Sequence, residues 1–398
     1  MGCGGLALRP AVLADTEDAS PLRRTQEVPV SSAAIDLVVG AVVIDMLGLL
    51  TIDWLKLFGW QDAPDRFSES DFRELESSRI DIYHPAVETG AANPRAGARR
   101  WIEGWQRLVR SRPCFLRVIA GPRDLDRAPG GGALGVIVGF QNSEHFAKVA
   151  DVADFHGMGQ RVSQLTYNGP NRLGSGCLSR RDTGLTAFGA DIVGEMNRVG
   201  MAIDVSHCGE RTSLDAIAAS RSPVLATHSN CGALVPGQPR CKSDQVIRRL
   251  AAGGGVLGLT IVPAFLRTGG RASIEDVLNH FEHVIRLVGV EHVGLGSDVS
   301  GDAARSQHLA TRRRYQVRDL DPSLRAFQIA DGLLRRGYAR ADIELVLGGN
   351  FRRVLHEIWQ ASPAAAGSDD VRSSRRDPFC PAPAPPPSIA RLAAGRHS

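Results

Sequence analysis

The 398 residues include seven cysteines, Cys3, Cys114, Cys177, Cys208, Cys231, Cys241 and Cys380, but no Cys-x-x-Cys pair. An odd, dispersed set of this kind is not a disulfide framework; it reads as reduced thiols in a cytoplasmic protein. Charge of one sign is also scarce. The formal net charge is +4, from 47 basic and 43 acidic residues. The basic residues are mostly arginine and are scattered, so neither nucleic acid nor an anionic membrane is expected as a partner. Long apolar runs are missing too. The longest, around Val38 to Ile52, is broken by Asp45 and is shorter than the roughly 20 residues a spanning helix needs. The N-terminus has no basic start followed by a long apolar core, as a secretory signal would. Leu6 breaks the myristoylation pattern.

The remainder is an ordinary soluble composition, 43% apolar and 23% charged, ample for one large core. Residues 1–34 are mixed polar and contain proline, which suggests a poorly ordered arm. From 362 to 398 Pro, Ala, Ser and Arg dominate and bulky apolar residues nearly vanish. Such a tail buries too little surface to offset its ordering entropy. The folded unit is therefore expected over 35–361.

Within that unit, short runs rich in Val, Ile and Leu alternate with amphipathic segments. The runs are AVVID (41–45), RIDIYHPAV (79–87), GVIVGFQ (135–141), VSQLTYN (162–168), MAIDVSH (201–207), PVLATHS (223–229), GVLGLTIV (255–262) and HVGLGSDV (292–299). Their composition suits strands buried on both faces. Between them, Leu185, Phe188, Ile192, Val193 and Met196 share one helical face, and Ser243 is placed to cap a helix. Eight strands alternating with helices predict a closed (β/α)8 barrel of the TIM type. An open doubly wound sheet is the competitor, but it does not explain why polar residues end so many strands.

Those strand ends carry the chemistry. In parallel barrels the reactive groups sit on loops at the carboxyl face. Gln141 ends the third strand, Tyr167 and Asn168 the fourth, His207 the fifth, His228 the sixth and Asp298 the eighth. Two neutral imidazoles on neighbouring strands, with one carboxylate, match a catalytic zinc arrangement with an open position. Metal-bound water there has its pKa lowered to about 7. Each residue has a plainer reading. A lone strand histidine is commonly a packed core residue, and His84 is read that way. Cys208 is read as a small buried side chain rather than a ligand. Asp204 is expected on the opposite side of its strand from His207, since side chains alternate.

At these residues the sequence resembles the membrane (renal) dipeptidase family of metallopeptidases. The resemblance runs from about 40 to 358 through QLTYNGPNRLGSG, GLTAFGADIVGEMNRVGMAIDVSHCGERT, PVLATHSNCGALVPGQPRCKSDQVIRRLAAGGGVLGLT, VGLGSDVSG and GGNFRRVLHEIW. It implies a two-zinc barrel that hydrolyses dipeptides with a metal-bridging hydroxide, a soluble homodimer being compatible with it. His207 and His228 match the pair holding one zinc. Asp298 matches the aspartate that binds the other and handles the proton. Other positions depart from the family pattern. Asp45 opens the first-strand motif, but Leu47 and Leu49 replace its histidine and second aspartate. Gln141 stands where a bridging glutamate belongs, and Tyr167 replaces a substrate-contacting histidine. Gly232 replaces a carboxylate-binding arginine, for which Arg240 is a candidate substitute.

The expectation is a metal-dependent hydrolase holding one Zn²⁺ rather than two, or another divalent ion. Its ligands are His207 and His228 with Asp298 or water, assisted by Asp45 and Gln141. Asp298 and Tyr167 are the candidate catalytic residues, and Tyr167, Asn168 and Arg240 the candidate substrate contacts. Tyr167 is equally compatible with oxyanion donation and with filling space. The alternative is a catalytically inactive barrel that binds a ligand or partner.

Overall fold

The computed structural model of the chain describes residues 30–88, 92–127, 132–303, 310 and 314–360. The expected tail, 362–398, lies outside the described residues, as does the expected arm up to residue 29. The described part begins inside that arm. Ser31 caps the helix Ser32–Gly40, which buries Ala34, Ile35, Leu37 and Val38.

Ten strand segments form one all-parallel sheet: β1 (Ile44–Asp45), β2 (Ile82–Tyr83), β3 (Leu116–Val118), β4 (Leu134–Val136), β5 (Gly139–Phe140), β6 (Val162–Gln164), β7 (Ala202–Asp204), β8 (Val224–Ser229), β9 (Val256–Leu259) and β10 (Val293–Leu295). Their order is β3-β4-β2-β1-β10-β9-β8-β7-β6-β5. Only Ile137 and Val138 separate β4 from β5, and the two are one continuous strand. Its first half pairs with β2 and β3, and its second half pairs with β6. The same strand stays beside the continuation of β2 further up, where Gln141 N donates to Val87 O at 2.8 Å. The ends of the list therefore meet, and the sheet closes as the expected (β/α)8 barrel. All eight expected strands are present. β3 is an additional edge strand that its sequence, RPCFLRVIAG, did not single out.

Local chemistry sets the helices between the strands. Thr186 caps Ala187–Val199, and Gly200 ends it in the left-handed region at φ 75°, where glycine carries no Cβ penalty. Ser243 caps Asp244–Ala252 as expected. Ser273 and Asp276 form a reciprocal capping box for Ile274–Val288, satisfying two orphan amides at once.

The barrel interior is layered. Ile44, Ile82, Ile137, Val162, Ala202, Leu225 and Val256 cluster with Phe351, Val354, Leu355, Ile358 and Trp359 of the last helix, Asn350–Gln360. The eighth place belongs to Gly294, where Phe351 lies 2.5 Å from the position a Cβ would take. The last helix thus plugs the amino end of the barrel. Two residues further along the strands the layer turns polar, with His84, Gln164, Asp204 and Thr227 all buried. The carboxyl end above that layer is where the site lies.

Cys114 is disulfide-bonded, so the expectation of seven reduced thiols does not hold. Cys177, Cys208, Cys231 and Cys241 are free. Among the described residues, no helix is long and apolar enough to cross a membrane.

Candidate active site at the carboxyl end of the barrel

Two strand ends bring the imidazoles together. His207 follows β7 and His228 lies within β8, and their Nε2 atoms stand 3.0 Å apart. The ring planes are tilted by 56° with centroids 5.0 Å apart. A bulge in β8 aims His228. Ala226 pairs with Leu257 and Ser229 with Leu259, three residues against two on β9. Such an extra residue bends a strand and redirects its side chains. Room for the bulge comes from Gly258 on the neighbouring β9 and from Gly296, just past β10. A Cβ on Gly258 or on Gly296 would sit 2.0 or 1.8 Å from Thr227 O.

Each imidazole is held through its other nitrogen. His207 Nδ1 lies 2.8 Å from Asn168 Oδ1, and His228 Nδ1 lies 2.9 Å from Thr227 Oγ1. Second partners of this kind fix the orientation of metal-binding histidines. The Tyr167 ring stacks on His207 at 4.2 Å and 23°. Burial pushes both imidazoles well below their ordinary range, and the nearby Arg240 guanidinium reinforces the shift. They remain neutral at neutral pH, the form that ligates a metal.

Arg240 does not reach outward for a substrate carboxylate, as was expected. It is buried, and its guanidinium donates to Ser206 O at 2.6 Å and His228 O at 2.8 Å. It braces the two strand ends that carry the histidines. Asn168 is likewise tied to His207. Gly232 belongs to a loop closed by its own amide, which donates to Lys242 O at 2.7 Å.

Asp45 turns its carboxylate to Ser297 and Arg325. Its carboxylate accepts from Ser297 N at 2.8 Å and from Arg325 Nε and Nη2 at 3.0 and 2.9 Å. Arg325 is 1% exposed and Asp45 0%, so the pair is fully desolvated. Its Oδ2 holds both guanidinium nitrogens. Leu47 and Leu49 are buried beside it. Gln141 turns its amide to the second strand, where Nε2 donates to Ala86 O at 3.0 Å. The residues at the lost first-strand positions therefore do not fit a second metal.

Asp298 has a left-handed backbone at φ 60°, a conformation that Asp tolerates better than most residues. Its amide donates to Leu47 O at 2.8 Å. Burial pushes its carboxyl up to about 6, while Arg240 and Arg314 pull the other way. Burial and the charge of Asp298 push the Tyr167 phenol up to about 12, so it keeps its proton. Among the described residues, no three His, Cys, Asp or Glu side chains converge closely enough to hold a metal ion. Among the described residues, Asp298 thus does not complete a three-ligand set with His207 and His228.

Sequence reasoning missed two features. Arg325 gave no local signal, because its partner lies 280 residues away. Asp204 does not contact His207. It accepts from Thr227 Oγ1 and Ser206 Oγ instead, joining β7 to β8. The signal for that link was the pairing of DVSH on one strand with ATHS on the next.

Comparison with known proteins accords with this geometry. The family described as membrane dipeptidase, peptidase family M19, matches residues 34–368. The chain is 31% identical to dipeptidase verJ of Clonostachys rogersoniana over 314 residues, 75% of this chain and 71% of that protein. It is also 31% identical over 256 residues to the "Uncharacterized protein in pqqA 5'region" of Klebsiella pneumoniae, covering 62% of this chain and 90% of the other. An amidohydrolase crystal structure from Pseudomonas aeruginosa superposes with a TM-score of 0.69 at 27% identity, covering 82% of this chain and 99% of that one. These matches favour an enzyme over a binding-only barrel. The chain belongs to the membrane dipeptidase family, peptidase family M19, and is a dipeptidase-type metal-dependent hydrolase.

Proposed function

We propose that the protein hydrolyses the amide bond of a dipeptide or dipeptide-like small molecule using one divalent ion, Zn²⁺ being the best fit, held by His207 and His228. The observation that carries this reading is the 3.0 Å approach of the two Nε2 atoms. Two nitrogens sharing a tetrahedral zinc at about 2.0–2.1 Å stand about 3.3 Å apart, a few tenths of an ångström from the observed separation. When bound, such an ion supplies an activated water and polarises the scissile carbonyl.

The chain's own groups do the rest. Asp298, with its carboxyl raised to about 6, is ionised at neutral pH yet close enough in pKa to take a proton efficiently. Tyr167 keeps its phenolic proton and donates a hydrogen bond through it to the oxygen that gains charge. Asn168 and Arg240 act behind the histidines, on Nδ1 of His207 and on the main chain of both strand ends. With Gly232 and Arg240 providing no free carboxylate clamp, a substrate with a modified carboxyl end fits as well as a free dipeptide.

The test is metal analysis of the purified full chain, followed by assay on a panel of dipeptides and carboxyl-blocked dipeptides with and without chelator. About one equivalent of divalent ion, with activity lost to chelator and restored by Zn²⁺, is expected. No bound ion, and no activity gained on adding Zn²⁺, overturns the proposal. Tyr167→Phe is expected to lower kcat more than it changes KM.

A further inference from the structure

Behind His228 runs a chain of hydrogen bonds that the hydrolytic chemistry itself does not use. We infer that Asp204 and Thr227 are positioning residues that decide which nitrogen of His228 carries the hydrogen, an inference resting on the metal-binding reading above. Asp204 Oδ1 accepts from Ser206 N at 2.9 Å, Ser206 Oγ at 2.6 Å and Thr227 N at 3.0 Å. Its Oδ2 accepts from Thr227 Oγ1 at 2.7 Å. Four donors converge on this carboxylate, all within a buried layer.

The hydroxyl of Thr227 has one hydrogen and two lone pairs. The hydrogen is committed to Asp204. Toward His228 Nδ1, 2.9 Å away, the oxygen therefore offers only lone pairs. Nδ1 must be the donor in that contact. Neutral imidazole has a single N–H, so Nε2 is left bare, and it faces His207 Nε2. Ser206 completes the frame, since its Oγ accepts from His228 N at 3.0 Å. The β8 bulge matters here, because it is what lets Thr227 reach Asp204 across the strand boundary while His228 turns to His207.

Removing the Thr227 hydroxyl leaves Nδ1 against a methyl group. The hydrogen then moves to Nε2, where it hydrogen-bonds the neighbouring imidazole and blocks the lone pair a metal needs. Loss of such an outer partner typically lowers metal affinity about 10–100-fold.

The experiment uses the full, metal-free chain with ¹⁵N-labelled histidine, His228 being assigned by comparison with His228→Gln. Two-bond ¹H–¹⁵N spectra distinguish the protonated ring nitrogen from the bare one, and absorption titration with Co²⁺ gives affinity. In the wild type, Nδ1 of His228 is expected to be protonated and Nε2 bare. Thr227→Val is expected to exchange the two roles and weaken Co²⁺ binding by about 10–100-fold, and Thr227→Ser to restore both. If Thr227→Val keeps the wild-type ring pattern and Co²⁺ affinity, the inference is overturned. Should Thr227→Val not fold, Thr227→Ser still decides, because a ring pattern differing from wild type overturns it. A wild type that takes up no Co²⁺ defeats the proposed function, while the ring spectra still judge the role of Asp204 and Thr227.

Discussion

The Nε2 atoms of His207 and His228 face each other at 3.0 Å, while the Nδ1 atoms turn away to Asn168 and Thr227. A separation of 3.0 Å is also close to that of two nitrogens sharing one tetrahedral zinc. On the proposed reading, the pair is the cation-binding unit of the site, built from two strand ends. Replacing either histidine by Ala is expected to abolish stoichiometric metal binding. Activity should fall by at least about 100-fold, the upper end of what loss of an outer partner costs. Metal content by mass spectrometry, with circular dichroism as the folding control, checks this.

Asp45 and Arg325 make the opposite kind of prediction, about stability. Breaking a buried pair strands an uncompensated charge and typically costs about 3–5 kcal/mol. Arg325→Met is expected to lose stability in that range. Asp45→Asn combined with Arg325→Met should recover much of it, because neither charge is then left alone. Urea denaturation of the two single variants and the double variant measures the coupling. A double variant as unstable as the sum of the singles would rule out the pairing.

Stability should fall on acidification. Burial lowers the pKa of His84, His145, His156, His207, His228 and His280, to about 4 for His145, His156 and His280. A depressed imidazole contributes stability that is fully present above its unfolded pKa of about 6.5. That contribution is lost as pH falls through the folded value. Asp81, Glu88 and Asp298 are raised, Asp81 and Asp298 to about 6, and act in the opposite sense. Their stabilising contribution is present below about 4 and is lost as pH rises through the folded value. Six imidazoles against three carboxyls leave a net loss. The melting temperature is expected to be flat between about pH 7 and 8 and to decline between about 6.5 and 4. His145→Gln should flatten that decline.

Glycines at the site are spatial requirements. Gly296→Ala places a methyl 1.8 Å from Thr227 O and 3.1 Å from the Cα of His228. The backbone must shift, so a loss of about 1–3 kcal/mol is expected, with weakened Co²⁺ binding. Gly194→Ala is the control. It lies in the helix Ala187–Val199 with nothing within 4 Å of the new methyl. It should stabilise by about 0.5–1 kcal/mol, which thermal denaturation measures.

The fold was legible because barrels impose a strong local pattern. Buried parallel strands such as PVLATHS and GVLGLTIV must be apolar along their length, and the segments between them must be amphipathic. His207, His228 and Asp298 stood out for the same local reason, as polar groups at the ends of apolar runs. Asp204 had the same kind of address but a different partner, and parity alone could not say that Thr227 on the next strand would meet it. For Arg240 and Asn168 the sequence shows a donor but not its direction, which only the fold supplies.

The sequence by itself determined the eight-strand alternation, the family and the absence of Leu47 and Leu49 from any ligand set, since these follow from residue type and spacing. Only the tertiary structure decided that Asp45 belongs to Arg325, that Arg240 braces the main chain and that Asp298 stands apart from the histidine pair. Each of those outcomes joins positions far apart in the chain or depends on which way a long side chain turns. Such choices are made by packing and by the need to satisfy buried charge, neither of which is written in a local stretch of residues.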